Sequence, residues 1–260
     1  MYNSKKITRG MFLRLFYFIF TLLIPCLLLA STEVEGDMEM DKPPYKWNRE
    51  LRFSFSSSSG NTDKESFSSR IKVEKPKGDM RFYADLMYFL EREDNDETEN
   101  KLTVDTRTEH DITEKFFYLF NGYFRRDKFS GVKYRAYGGT GLGLAIVDTK
   151  EHSLKVLDSI NYEYEKLDDE SSNSNVVNVF RLNYEFRIND KVKLGEDAKF
   201  TIALNDTEKY YVDSETYAQI DINKHLSFVL SYIVNYQNVV SEGDYKHTDR
   251  KLLMSIAFSF

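Results

Sequence analysis

Residues 252–260 limit what this chain can fold into more than any other stretch. Leu252, Met254, Ile256, Phe258 and Phe260 are large and apolar, and Ser255, Ala257 and Ser259 between them are small. A strict period of two makes a strand with one greasy face and one that accepts water or close packing. The strand ends on an aromatic side chain. A soluble sheet seldom leaves a Phe exposed at its last position. The closing strand of an outer-membrane barrel does so routinely, because it pairs back to the first strand and sets an aromatic at the membrane interface. Such a fold requires a greasy outward face on every other strand and an export signal at the start.

Residues 1–31 have the pattern of that signal. Lys5, Lys6, Arg9 and Arg14 are followed by an apolar run, 15–29, broken only by Thr21 and Pro25. About fifteen residues is short for a spanning helix, which needs about twenty. The single cysteine, Cys26, lies inside this run, without the small residues before it that a lipid-modified cysteine requires. Residues 32–46 are acidic, end near Pro43-Pro44 and are expected to form a flexible periplasmic lead-in. Removing the signal leaves 32 basic against 42 acidic residues, a net charge of −10, which counts against nucleic acid as a partner. A hydrophobic content of 41% would be low for a helical membrane protein, but barrel strands alternate lipid-facing and lumen-facing residues. The 20 Phe and 18 Tyr suit interfacial girdles.

From residue 47 onward the period of two recurs twelve times, predicting an all-β, up-and-down antiparallel transmembrane barrel of about twelve strands over 47–260. In the third strand Met80, Phe82, Ala84, Leu86 and Tyr88 point outward, against Arg81, Tyr83 and Asp85. In the eighth, Val176, Phe180, Leu182, Tyr184 and Phe186 oppose Arg181, Glu185 and Arg187. The connections are expected to alternate between tight turns (76–79, 112–114, 149–151, 189–190, 223–224) and longer external loops. Those loops are placed at 57–65, 93–100, 127–132, 167–174, 205–209 and 241–248. An even strand number puts both termini on the periplasmic side. Asp158, Glu196, Ser214 and Thr216 fall on the lipid face, where a register-shifting bulge or a position near the interface would relieve the conflict.

Three short motifs carry a resemblance to a known family. They are Gly60-Asn61-Thr62, Arg126-Asp127-Lys128-Phe129, and the glycine-rich Tyr137-Gly138-Gly139-Thr140-Gly141-Leu142-Gly143. Across most of 47–260 the chain resembles the YdiY-like family of salt-induced outer-membrane proteins, a domain of unknown function. The resemblance implies an outer-membrane barrel and brings no catalytic residues with it.

The chemistry is expected in the lumen. The inward phase carries Arg52, Arg70, Arg81, Asp85, Asp105, Arg107, Arg135, Arg181, Glu185, Asp197 and Lys199, with Gly139 and Gly141 on a bare stretch of the same wall. These residues suit the lining of a narrow pore for small polar solutes or ions. They equally suit a closed barrel filled by cross-strand ion pairs, since twelve strands lie between the filled eight and the open sixteen. Gly139, Gly141 and Gly143 also suit a sharp bend. The acidic run 91–99 offers oxygen ligands for calcium but lacks an EF-hand glycine. His110, His152, His225 and His247 accompany no G-x-S-x-G or H-E-x-x-H motif, so no enzyme and no cofactor is expected. Expected partners are outer-membrane lipid and lipopolysaccharide, and the barrel assembly machinery through the strand ending at Phe260.

Overall fold

The computed structural model describes residues 47–58, 63–239 and 247–260. The expected signal and lead-in, Gly60-Asn61-Thr62 and most of the last external loop lie outside the described residues. The strands are β1 (Asn48–Ser58), β2 (Lys64–Lys77), β3 (Met80–Glu93) and β4 (Asp96–Asp111). They continue with β5 (Phe116–Asp127), β6 (Val132–Asp148), β7 (His152–Leu167) and β8 (Ser172–Asn189). The last four are β9 (Val192–Ala203), β10 (Tyr210–Asp221), β11 (Leu226–Gln237) and β12 (Thr248–Ser259). Each pairs antiparallel with its sequence neighbours, and β12 closes on β1. The twelve-stranded up-and-down barrel read from the alternation is the fold observed.

The periodicity works because, outside part of the β1–β12 seam, the backbone groups find their partners on the adjacent strand while the side chains are sorted by phase. In lipid no other arrangement of strands leaves the backbone satisfied. On the outer face, Leu142, Tyr162, Met254, Leu252 and Phe120 are all more than half exposed. Near the chain termini His152 stacks on Phe186, with ring centroids 4.6 Å apart, and His110 on Tyr118 at 4.9 Å. At the opposite end run two rows of rings, Phe124–Tyr134–Tyr164 and Phe200–Tyr210–Tyr236–His247, with spacings of 5.8–6.2 Å. Two such belts separated by apolar surface are the interfacial girdles of a membrane barrel. Phe260 sits at the terminal rim, where its amide donates to the Arg49 carbonyl and the Arg49 guanidinium lies 5.9 Å from its ring.

Two expectations need correction. The connection 93–100 is not a loop: β3 and β4 continue to a two-residue turn, Asp94–Asn95, with φ of 51° and 74°. Two successive positive φ values make a type I′ hairpin, whose twist matches the flanking strands. Glu91, Glu97 and Glu99 of that acidic run face Lys64 (3.0 Å), Lys128 (3.1 Å) and Lys251 (2.5 Å) instead of converging on a cation. By the strand bounds, 59–63, 204–209 and 238–247 remain longer than the opposite turns. Nor does a bulge rescue the polar residues on the lipid face, since β7–β8 and β9–β10 run in unbroken register through them. Asp158 accepts from the Asn178 amide at 2.8 Å, and Glu196 accepts from Ser214 (2.6 Å) and Thr216 (2.5 Å). Local hydrogen bonds lower the cost of these carboxylates without turning them inward.

Candidate functional site: the charged lumen

The inward phases of the strands enclose a cavity of about 1370 Å³. Its mouth lies at the end that carries the chain termini, lined there by Trp47, Thr149, Lys191, Asn223, His225 and Phe260. From that rim it rises past Arg52, Arg70, Asp85, Arg107 and Arg181 to Lys101, Arg125, Asp213 and Asn235.

Ion pairs cross this space. Arg70 on β2 bonds Asp85 on β3 at 2.5 Å and reaches across to Glu215 on β10. Glu215 also accepts from Ser231 at 2.8 Å and lies 3.8 Å from Arg52. Arg181 on β8 meets Asp105 on β4 at 2.5 Å, and Lys199 bridges to Asp213 at 3.2 Å. Higher up, Lys101 on β4 donates to Asn235 on β11 at 2.9 Å, and Arg125 pairs with Asp127 at 2.6 Å. Arg70 and Lys199 thus each answer a carboxylate on a facing wall as well as one on a neighbouring strand. Such pairs hold position well and add little net stability, because desolvation offsets most of their attraction.

Arg52 and Lys72 are among the cations that retain free capacity. Arg52 pairs with Glu50 through Nε, but it is 6% exposed and its Nη1 makes no hydrogen bond. Lys72 is placed 5.7 Å from the Tyr217 ring, and among the described residues no carboxylate lies within 4.0 Å of its ammonium. Arg52 flanks the same ring, also at 5.7 Å. Gly195 makes room for that ring, since a Cβ there would lie 2.2 Å from it. The arrangement can attract a small anion, hold it by charge-assisted hydrogen bonds and release it to the adjacent pairs.

Of the residues singled out from the sequence, Arg52, Arg70, Asp85, Asp105, Arg107, Arg181, Glu185, Asp197 and Lys199 line the cavity. Arg81 lies apart on the wall, bonded to Glu109 (3.0 Å) and Asp111 (2.5 Å). Arg135 lies above the cavity with its guanidinium 3.7 Å from the Tyr211 ring. Gly139 and Gly141 are pressed against β7: a Cβ at either would fall 2.1 Å from a backbone oxygen, of Ile160 or Asp158. Gly143 yields its space to the Phe117 ring, which packs with Leu119 and Leu157. Glu215 and Tyr217 were missed because the outward Ser214 and Thr216 blur the alternation of β10. The signal that reveals them is the inward series Asp213, Glu215, Tyr217, Gln219. The histidines belong to girdles and turns, His225 and His247 each contacting a backbone carbonyl at 3.0 and 2.9 Å.

A closed twelve-stranded wall, two aromatic girdles and a hollow charged interior define the class: a transmembrane β-barrel of the outer-membrane type. Within it, the family described as "Protein of unknown function, DUF481" matches residues 51–260, and the chain belongs to that family. The protein YdiY of Escherichia coli (strain K12) is 23% identical over 168 residues, 64% of this chain and 64% of that protein. The match therefore spans less than two thirds of the relative. Among solved structures, the NanC porin shares 11% identity and a TM-score of 0.53, with 82% of this chain and all of that one (100%) covered. The COG4313 outer membrane channel from Pseudomonas putida F1 shares 8% identity and a TM-score of 0.50, over 87% and 99%. At these identities the likeness is one of fold.

Proposed function

We propose that this protein is a narrow passive pore or binding channel of the bacterial outer membrane, taking small polar solutes or ions from its periplasmic mouth. Residues 1–31 act as the export signal and 32–46 as a periplasmic lead-in, so the rim with the termini faces the periplasm. The observation that carries the reading is the cavity of about 1370 Å³ reaching that rim and lined by charges of both signs. Arg52, Arg70, Arg107, Arg181 and Lys199 would draw anions, while Asp85, Asp105, Glu185 and Asp197 keep the field from trapping them. Arg81, Arg135, Gly139 and Gly141 shape the wall around the passage. The outer surface meets lipid and lipopolysaccharide, and β12 with Phe260 addresses the assembly machinery. The porin and channel folds it resembles fit a role without catalysis.

A second reading, a closed structural barrel acting through its loops, draws on the pairs that cross the lumen, Arg70–Glu215 and Lys101–Asn235. Ion conductance of the refolded protein in a planar bilayer separates the two. Discrete steps with anion preference support the channel. Silence from protein shown to be folded by its heat-modifiable gel mobility refutes it.

A further inference from the structure

The seam that closes the barrel is zipped along only part of its length. β1 and β12 pair from Glu50↔Ser259 to Ser54↔Ser255, five positions, whereas the other eleven seams pair over ten to fifteen. Beyond Ser54, β1 stays paired with β2 as far as Ser58↔Lys64, and β12 stays paired with β11 as far as Thr248↔Tyr236. Each lip is therefore a strand with an edge facing the other, unpaired among the described residues over 55–58 and 251–254. At about 3.3 Å per residue the unzipped stretch is roughly 13 Å high.

The side chains around it are sorted as for an amphiphile. Outward, the lips carry Phe55, Leu252 and Met254, each about 60% exposed and at lipid level (60%, 59% and 61%). Inward, β1 and β2 present hydroxyls in pairs, Ser54–Ser68 and Ser56–Ser66, both 2.8 Å apart. Ser56 and Ser58 have the inward phase yet are exposed, as expected if the wall beside them is open. This ladder descends along the same two strands to Arg52, whose Nη1 makes no hydrogen bond, and to Lys72. Apolar residues also gather on the flanking strands: Leu253 behind the β12 lip, and Met87, Phe89 and Ile233 in a cavity lining otherwise dominated by charge. Unpaired backbone facing hydrocarbon costs several kcal/mol per group, so an edge of this kind in a lipid-level wall calls for an occupant with polar atoms.

We infer that the β1–β12 seam is a lateral portal for a single-chain amphiphile with an anionic head, whose tail spans the slot while its head descends the serine ladder to Arg52 and Lys72. The portal joins the membrane leaflet to the cavity, independently of whether the cavity conducts ions.

The test uses the full chain with Cys26→Ser, refolded into phosphatidylcholine vesicles and labelled with a small fluorophore at Ser56→Cys or Thr103→Cys. Thr103 lines the same cavity behind a fully paired wall. Stearic acid carrying a nitroxide on its chain is the probe. The portal predicts several-fold stronger quenching at position 56 than at 103, weakened by Lys72→Met. Phosphatidylcholine bearing the same nitroxide should quench position 56 less than the stearate does. Equal quenching at the two positions, or quenching indifferent to headgroup and to Lys72, overturns the proposal. Efficient disulfide dimers of Ser56→Cys would overturn it as well, by showing that a second copy pairs with the edge.

Discussion

Glu215 offers the most direct test of how the lumen is held. Its carboxylate is 8% exposed, accepts from Ser231 and answers Arg70 and Arg52 from across the barrel. In Glu215→Gln the shape is kept and the charge is lost, so Arg52, Arg70 and Lys72 face a neutral amide. Removing one partner of a buried pair costs about 3–5 kcal/mol, most of it the penalty on the charge left behind. Arg70 keeps Asp85 at 2.5 Å, which places the expected loss at the lower end, about 3 kcal/mol. For a domain of this size that lowers the unfolding midpoint by roughly 6–12 °C. The assay is thermal or urea unfolding of the folded barrel in lipid, followed by gel mobility, for Glu215→Gln, Arg70→Met and the double variant. Coupling should be strong, with the double variant less destabilised than the two single losses added together. A loss below about 0.5 kcal/mol for Glu215→Gln, the range of ordinary surface changes, would refute the cross-barrel account.

Gly141→Ala should destabilise by about 1–3 kcal/mol or abolish the folded gel band, because its Cβ would meet the backbone at Asp158 and Ser159, which cannot swing aside as a side chain can. At the β7–β8 loop, Glu170 accepts from Lys133 at 2.7 Å and pairs with Lys166, and these contacts hold its carboxyl below the ordinary carboxylate range. Its contribution to loop order is present above the ordinary carboxylate pKa and lost as pH falls through the lowered one. Carboxyl-carbon NMR titration should show Glu170 titrating below the ordinary glutamate range, and Lys133→Met should move it back up.

How much was legible follows from which constraint each feature obeys. Strands such as β3 and β12 were plain, because the bilayer enforces the outward phase residue by residue. β10 was faint because Ser214 and Thr216 satisfy Glu196 sideways on the lipid face, a contact between strands that no single stretch can show. The acidic run 91–99 looked like a loop because composition, not alternation, stood out. Its carboxylates face lysines from β2, β12 and the β5–β6 connection, partners far away in sequence. The inward charges could be named from phase, but the pairing of Arg70 with Glu215 or Arg181 with Asp105 is fixed only by closure of the barrel. The partial β1–β12 ladder is not legible either: the alternation lapses at Ser56-Ser57-Ser58 and at Leu252-Leu253-Met254, but a lapse in alternation does not say which seam is left unpaired.

The spans of the interior bonds bear on how the chain assembles. Arg70 and Glu215 are 145 residues apart, Lys101 and Asn235 134, and Arg181 and Asp105 76. Arg70 and Lys101 have a carboxylate on an adjacent strand, Asp85 and Asp127, but these longer-range bonds wait until strands from opposite sides of the circle are in place. A half-inserted sheet would leave groups such as the Arg181 guanidinium without the carboxylate that answers it in the closed barrel, an expensive intermediate. Contacts of such separation also fold slowly, because a long loop must be closed before any of them forms. Insertion should therefore behave as a late, concerted step, in which the inner charges enter the membrane already neutralising one another.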